Sequence, residues 1–213
     1  PTMHPEFLNM LQYLGKNGRF IETKLNTNAT YLNERICHNI FMNNLNVVVI
    51  SADHYEKEQY EILRKNSDFD KVLNNVKMLF EIRKKYFPDS RTEIRVSGID
   101  YYNNLDKNKF YEFWSQFSDN VSSSPASKRW DTYFNEPSNI NTPCSNLWDR
   151  MYIWFDGKSN PCDVDYKSYL SYGNVKELGI EKVWNSKKLK ELRENHLNNY
   201  RENIIPCDRC DAD

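Results

Sequence analysis

Apolar positions along residues 1–123 switch between helical spacing and short continuous runs. Helical spacing predicts helices over residues 5–14, 32–43, 57–64, 68–86 and 107–117, and Gly15 and Gly18 are typical stop signals for the first of them. Strands are predicted over residues 20–26, 47–50, 91–97 and 120–123. The run at 47–50 is continuous and β-branched, which is typical of a strand buried on both faces. This alternation predicts an α/β fold with a parallel sheet or a barrel.

The pattern changes after residue 123. Residues 124–143 are polar, contain three prolines and lack a helical period, so we predict a linker or long loop there. Beyond it, the apolar stretch at 151–155, followed by Asp156 and Gly157, predicts a β-hairpin. Residues 186–198 have the spacing of an amphipathic helix. The expected organisation is an α/β body over residues 1–123, a linker over 124–143 and a small module over 144–213.

Composition narrows the class of protein. With 39% apolar and 14% aromatic residues the chain can build a core, which excludes full disorder. The 29 basic and 30 acidic side chains balance, which argues against nucleic-acid binding by bulk electrostatics. No apolar run approaches the roughly 18–20 residues that cross a bilayer, and the chain does not open with a signal-peptide pattern. We expect a soluble, cytoplasmic protein that binds neither nucleic acid nor membrane.

The five cysteines are unevenly distributed. Cys37 stands alone in a predicted helix, where a core thiol is expected. Cys144 and Cys162 flank the predicted hairpin, while Cys207 and Cys210 form a Cys-x-x-Cys pair. An odd count with such a pair indicates a reducing compartment and metal ligation rather than disulfides. Four thiolates suit either zinc or an iron–sulfur cluster, and the residue types alone do not decide between them.

Polar residues follow two of the predicted strands, where ligand sites form in parallel α/β folds. Asn28 follows the strand at 20–26, Ser51 and Asp53 follow the strand at 47–50, and Arg64 ends the next helix. Arg64 offers a planar fork that suits a carboxylate. Asn28 and Asp53 are equally typical of turns and caps, and Arg64 of a solvated helix end, so both interpretations stay open at this point.

The four histidines, His4, His38, His54 and His196, form no pair with metal-ligand spacing. We expect all four to be surface or packing residues. His54, which follows Asp53 directly, is the one nearest to the predicted strand-end site.

The order of these motifs resembles that of radical S-adenosylmethionine (SAM) enzymes with a SPASM extension. In the body, residues 1–7 resemble the continuation of the Gly-Gly-Glu-Pro segment, 26–28 the Thr-Asn-Gly turn, 49–53 the Ile-Ser-x-Asp strand end, and 60–64 the Tyr-x-x-x-Arg helix. Ala29 stands where glycine is usual. In the last third, Cys144, Gly157 and Cys162 match the opening of the SPASM pattern. Residues 172–175, 183–186 and the Cys-x-x-Cys pair continue it in order.

The resemblance implies a partial (β/α)6 barrel and radical chemistry. In such enzymes a [4Fe–4S] cluster cleaves SAM reductively, and a 5′-deoxyadenosyl radical abstracts hydrogen from a peptide or small-molecule substrate. The resemblance also implies roles in cofactor binding. Ser51 would contact the SAM ribose, Arg64 the methionine carboxylate and Asn28 the adenosine side of SAM. Asp53 belongs to the same group of cofactor-binding residues. A flavodoxin- or ferredoxin-type reductant is an implied partner.

For the last third, the resemblance implies auxiliary [4Fe–4S] clusters. Cys144 and Cys162 would ligate the first, and Cys207 with Cys210 the second. The Cys-x3-Cys-x2-Cys motif of the radical-generating cluster is absent, and no cysteine follows Cys210. We therefore expect an interior fragment of a larger enzyme, inactive by itself and with no catalytic residue of its own. The alternatives are a non-catalytic α/β binding protein with a zinc-ribbon-like site of four cysteines, and a substrate-docking scaffold.

Overall fold

The computed structural model describes residues 1–126 and 132–210. The chain divides into two units, Pro1–Ala126 and Ser127–Asp213. Residues 127–131 of the predicted linker and 211–213 of the predicted module lie outside the described residues, and the predicted boundaries after 123 and 143 stay predictions. Within the described ranges, no helix is both long and apolar enough to cross a membrane.

The first unit is built on a parallel sheet of four strands in the order β1-β2-β3-β4. The strands are β1 (Lys24–Thr27), β2 (Val47–Ser51), β3 (Glu93–Asp100) and β4 (Asn120–Pro125). The helices are α1 (Phe7–Asn17), α2 (Glu34–Met42), α3 (Lys57–Leu63), α4 (Phe69–Tyr86) and α5 (Lys107–Trp114). The predicted α/β fold with a parallel sheet is confirmed, and it is consistent with a partial barrel.

The core of the first unit lies between the central strands and their helices. Val48 and Ile50 are fully buried on one face of β2, and Val47 is buried on the other, as predicted for a strand covered on both faces. Ile40 of α2, Leu79 of α4 and Trp114 of α5 are fully buried in the same hydrophobic core. Burying an aliphatic side chain contributes about 1.5–3 kcal/mol, so this core holds the strand ends in fixed positions.

Side-chain caps define where three of these helices begin. Asn33 accepts a hydrogen bond from the Ile36 N–H at the start of α2, and Asp68 accepts one from the Lys71 N–H at the start of α4. Asp106 caps α5 in the same way. Such caps satisfy backbone donors that have no partner inside the helix, and each contributes about 1 kcal/mol.

The structure differs from the sequence expectation before β1. Helix α1 continues through Gly15 and ends at Gly18, whose φ of 50° is left-handed. A Cβ at Gly15 would lie 2.7 Å from the Asn43 side chain, so this glycine permits close packing rather than stopping the helix. The predicted strand over 20–26 begins only at Lys24, because pairing with β2 starts there, and Ile21 is fully exposed.

The second unit contains short elements around a small core. Its elements are α6 (Asn146–Asp149), β5 (Tyr152–Ile153), β6 (Lys158–Asn160), β7 (Gly173–Asn174), α7 (Val175–Leu178), α8 (Ile180–Trp184) and α9 (Lys187–Leu197). Strands β5, β6 and β7 form an antiparallel sheet. The hairpin between β5 and β6 turns at Asp156 and Gly157, as predicted. Two 3-10 turns follow, Arg201–Asn203 and Cys207–Arg209.

Candidate functional site

A cavity of about 330 Å³ opens where β1 and β2 end in the first unit. Three of the four residues predicted to bind a cofactor, Asn28, Ser51 and Arg64, line it. The remaining lining residues are Pro1, Thr2, Met3, Asn26, Thr27 and Tyr31. The parallel register brings Ser51 and Asn28 to the same edge of the sheet, because Thr27 lies opposite Ile50. Carboxyl ends of parallel strands are the usual place for a ligand in such sheets.

The turn after β1 has a fixed shape. The Thr27 Oγ1 atom accepts a hydrogen bond from the Ala29 N–H at 3.1 Å, and the Asn28 Oδ1 atom accepts one from the Thr30 N–H at 3.2 Å. From α4, the Asn75 side chain donates to the Ala29 carbonyl at 2.9 Å. Ala29 adopts a left-handed φ of 60°, the conformation that glycine favours. Asn28 therefore holds its own turn and also faces the cavity.

Arg64 forms an ion pair with the buried Asp53. The Asp53 carboxylate is 3% exposed; its Oδ2 lies 2.9 Å from the Arg64 Nε, and its Oδ1 accepts a hydrogen bond from the Ile99 N–H. The guanidinium also lies over the Tyr60 ring, 6.0 Å from its centroid. Although Nε is buried, its N–H does not point along a hydrogen bond to any acceptor in the described residues. Asp53 thus positions Arg64 and lies outside the cavity lining.

Cys37 lies inside α2 and is fully buried. Burial raises the pKa of its thiol to about 12, which keeps it protonated at neutral pH. Such a thiol packs as a small apolar side chain, in keeping with the expectation of a core residue.

The other four cysteines all belong to the second unit. Cys144 precedes α6, Cys162 follows β6, and Cys207 and Cys210 bracket the second 3-10 turn. All four are half-buried free thiols. Burial raises the pKa of Cys207, the charges of Cys162, Cys210 and Cys144 raise it further, and Arg201 lowers it, so these three sulfurs lie within electrostatic reach of Cys207. Burial also raises the pKa of Cys162 to about 11, against hydrogen bonds from the Asp165 and Val164 N–H groups.

These sulfurs do not form a closed cage for one ion. Among the described residues, no group of three or more His, Cys, Asp or Glu side chains is close enough to surround a single metal. A structural zinc site needs four ligands near 2.0–2.3 Å from the ion, and it is compact for that reason. An iron–sulfur cluster is larger than a single ion and is likewise held by cysteine thiolates.

Arg201 was missed by the sequence interpretation. Its side chain is 1% exposed, and it donates hydrogen bonds to three backbone carbonyls: from Nε to Cys207 at 3.3 Å, from Nη1 to Thr142 at 2.9 Å and from Nη2 to Cys210 at 3.1 Å. The guanidinium therefore fixes the Cys-x-x-Cys turn against the segment that leads to Cys144. No local pattern around Arg201 indicates this role, because it depends on contact with Thr142, which lies 59 residues earlier in the chain.

His196 is buried beside the same group. It is fully buried on α9, and its Nδ1 accepts a hydrogen bond from the Cys144 N–H at 3.3 Å. Burial, together with the charge of Arg201, lowers the pKa of His196 to about 4, so the imidazole is neutral. Its helical spacing from the buried Leu189 and Leu192 was the available signal, and the expectation of a packing residue left out its contact with Cys144.

Among known protein families, residues 144–211 match SPASM, an iron–sulfur cluster-binding domain. An uncharacterized protein of Methanocaldococcus jannaschii, MJ0804, is 32% identical over 80 residues, which cover 38% of this chain and 27% of that protein.

Solved structures share the fold. The structure of anSMEcpe with bound AdoMet superposes with a TM-score of 0.62 at 15% identity, over 97% of this chain and 67% of that one. Streptococcus suis SuiB bound to precursor peptide SuiA gives a TM-score of 0.67 at 14% identity, over 90% of this chain and 53% of that one. At such identities the likeness concerns the fold, and the chain spans only part of each relative.

The domain match and the shared fold support the resemblance to radical SAM/SPASM proteins. Residues 144–211 match an iron–sulfur cluster-binding SPASM domain, and the first unit shares the parallel α/β fold of those solved structures.

Proposed function

We propose that the first unit binds SAM in the strand-end cavity and that the second unit holds auxiliary [4Fe–4S] clusters, as parts of a radical SAM modifying enzyme. The observation that carries the proposal is the convergence of Asn28, Ser51 and Arg64 on one cavity. These residues lie far apart in sequence, and packing of the sheet brings them together.

The cavity suits the methionine end of SAM. Its volume of about 330 Å³ lies within the range of small-molecule sites, roughly 300–1,000 Å³. The Asp53 carboxylate holds Arg64 in place, and a guanidinium so held can present parallel N–H donors to a carboxylate. Ser51 offers a hydroxyl for the ribose, and Asn28 shapes the adenosine side. Asp53 takes part through Arg64.

The second unit offers thiolate ligands in two pairs. We assign Cys144 and Cys162 to one auxiliary cluster and Cys207 with Cys210 to a second. Arg201 holds the backbone between the pairs, which keeps the thiols of both in place. When bound, SAM and the clusters supply the electron-transfer and radical chemistry, while this chain orients them and limits access of water.

The substrate class follows from the same proposal. A peptide or a small molecule is the expected hydrogen donor, and SuiB, solved with its precursor peptide, is one protein of this fold that binds a peptide. A flavodoxin- or ferredoxin-type protein is the proposed electron donor. The full-length protein is proposed to act as an oxidoreductase in the cytoplasm, whereas these 213 residues alone do not generate the radical.

Replacement of Arg64 tests the SAM site. In the full-length protein, Arg64→Ala should weaken SAM binding about 10- to 100-fold, because a charge-assisted hydrogen bond contributes about 1.5–3 kcal/mol. The SAM affinity of Arg64→Lys should lie between those of the native protein and Arg64→Ala, since an ammonium group cannot form two parallel hydrogen bonds to a carboxylate. Isothermal titration calorimetry under anaerobic conditions measures the affinities.

Arg95→Ala is the matched control. Arg95 lies on β3, where it pairs with Glu93 and does not line the cavity. Its loss should leave SAM affinity unchanged. Equal affinities for the native protein and Arg64→Ala would refute the assignment of Arg64, provided that circular dichroism shows both to be folded.

A further inference from the structure

Buried polar atoms without partners concentrate in the second unit. Among the described residues, six buried side-chain nitrogen or oxygen atoms have no hydrogen-bond partner, and four of them belong to Ser159, Asn160 and His196. Such atoms are rare in folded proteins, because each unsatisfied group costs about 1–3 kcal/mol, and they commonly indicate a partner that is not a protein side chain.

His196 is the one of these residues that is hydrogen-bonded to a cysteine assigned as a cluster ligand. The Cys144 N–H donates to its Nδ1, so Nδ1 carries a lone pair and the ring proton of the neutral imidazole resides on Nε2. That Nε2–H is the atom without a partner in the part of the chain that the structure describes. The ring is therefore a fixed donor: one side is bonded to the backbone of Cys144, and the other is available.

The surroundings of His196 leave the ring no route to solvent. Its side chain is fully buried on α9, on the face that also buries Leu189 and Leu192. The ring is excluded from water and fixed to the backbone of Cys144, so a cluster held by that cysteine is the non-protein acceptor that the proposed function places nearest to it. The sulfur atoms of an iron–sulfur cluster are such acceptors, and hydrogen bonds to them are one of the factors that set the cluster's reduction potential.

We propose that His196 donates a hydrogen bond from Nε2 to a sulfur atom of the cluster bound at Cys144 and thereby raises that cluster's reduction potential. The inference rests on the proposed binding of an auxiliary cluster by the second unit. The potential rises because the hydrogen bond stabilises the reduced cluster, which carries one more negative charge. His196 is thus a positioning and tuning residue rather than a ligand.

Two substitutions of His196 distinguish the acceptor role of Nδ1 from the donor role of Nε2. His196→Asn keeps an oxygen near the position of Nδ1, which can still accept from the Cys144 N–H, but it has no donor at the position of Nε2. His196→Gln reaches further and places an amide donor near that position. In the anaerobically reconstituted full-length protein, redox titration monitored by EPR should show a lower potential for His196→Asn and a value nearer to native for His196→Gln. The relevant signal is the one lost in Cys144→Ala.

His4→Asn is the matched control. The His4 Nδ1 also accepts a backbone N–H, from Glu6 at 3.1 Å, but His4 is exposed and belongs to the first unit. The potential should not change in this variant. An unchanged potential in His196→Asn, or a loss of iron from folded His196→Asn, would overturn the inference, because the first result excludes tuning and the second indicates ligation.

A measurement on the native protein covers the case in which His196→Asn fails to fold. Pulsed EPR on the reduced cluster, with ¹⁵N-labelled histidine, should show a weak nitrogen coupling, which disappears in His196→Gln. No coupling refutes the hydrogen bond, and a strong coupling typical of a direct ligand refutes the tuning role. If the native protein binds no cluster that depends on Cys144, the proposed function fails together with the inference. If it binds one whose potential is insensitive to His196, the inference fails alone.

Discussion

Ala29 closes the turn that shapes one side of the cavity. It is fully buried and has a φ of 60°. A left-handed conformation costs a residue with a side chain roughly 1–2 kcal/mol. Hydrogen bonds from the Ala29 N–H to Thr27 and from Asn75 to the Ala29 carbonyl hold the backbone in that conformation. Ala29 is thus a small, fully buried residue in a backbone conformation that favours glycine.

Smaller and larger side chains at position 29 should have very different effects on the stability of the first unit. Ala29→Gly relieves about 1 kcal/mol of backbone strain but removes a buried methyl group worth about 0.8 kcal/mol, so the stability of the first unit should hardly change. Ala29→Val should cost about 2 kcal/mol or more, because a β-branched residue is disfavoured at positive φ and would overpack the site. Urea denaturation followed by circular dichroism compares the two. Equal midpoints for both variants would contradict this account of the turn.

The site was partly predictable at the scale of single residues. Asn28, Ser51 and Arg64 follow strands or end a helix, and such positions converge at one edge of a parallel sheet. The role of Asp53 was not predictable in the same way, because its partners Arg64 and Ile99 become neighbours only when β2, β3 and α3 pack. Likewise, the contacts of His196 with Cys144 and of Arg201 with Thr142 join residues that are distant in sequence.

Helix α4 is joined to the sheet of the first unit by an ion pair. Arg83 donates from both Nη atoms to the Asp119 carboxylate, which also accepts a hydrogen bond from the Ile94 N–H of β3 at 2.8 Å. Partial burial raises the pKa of Asp119, but the bonds from Arg83 and Ile94 outweigh that effect, and the net pKa is lowered. The charged form of Asp119 thus stabilises the packing of α4 on the sheet.

Stability of the first unit should fall in acid because of this pair. The folded-state pKa of Asp119 is below its unfolded value of about 3.9, so its contribution is complete above that pH and is lost as pH falls through the folded pKa. Asp119→Asn should cost about 1 kcal/mol at pH 7, a modest value because Asp119 is partly exposed, and should flatten the curve below about pH 4. Thermal melts from pH 2 to 7 measure it.

Asp89→Asn serves as the control, since Asp89 is exposed in the segment after α4. Its melts should follow those of the native protein over the whole range. If Asp119→Asn retained the native loss of stability in acid, another carboxylate would have to be responsible.

Elements were predictable where local chemistry decides them. The apolar run of β2 and the caps Asn33, Asp68 and Asp106 can be read from neighbouring residues, and those elements form close to the expected positions. Strand ends depend instead on pairing. Strand β3 extends to Asp100 because β4 lies alongside it as far as Pro125, and residues 20–23 lack such a partner.

For the molecule as a whole, the four cysteines of the second unit and Cys37 of the first differ in their surroundings. Cys37 is enclosed by apolar side chains, whereas Cys144, Cys162, Cys207 and Cys210 are half-buried, and the other three raise the pKa of Cys207. Metal chemistry is therefore expected of the second unit alone.

Replacing single cysteines should show whether the second unit binds two distinct clusters. In the full-length protein after anaerobic reconstitution, Cys144→Ala and Cys207→Ala should each lower bound iron and the absorbance near roughly 400 nm, and the double variant should lower both further. Cys37→Ala should retain the native iron content, and it serves as the control once its melting curve shows a folded protein. Iron and sulfide analysis gives the stoichiometry. Tight stoichiometric zinc without the absorbance band would favour the zinc-ribbon alternative.

The hydrogen bonds of Arg201 can form only after residues late in the chain have been synthesised. The Thr142 carbonyl is bound by a side chain that is made 59 residues later, and the Cys210 carbonyl follows after nine more. Residues 1–126 of the first unit have been synthesised by then, and domains generally fold from the N-terminus as units during synthesis. The sheet and its cavity can thus form before the cysteine group exists. From this order we expect the proposed cluster assembly in the second unit to be a late step of maturation, after the first unit has folded.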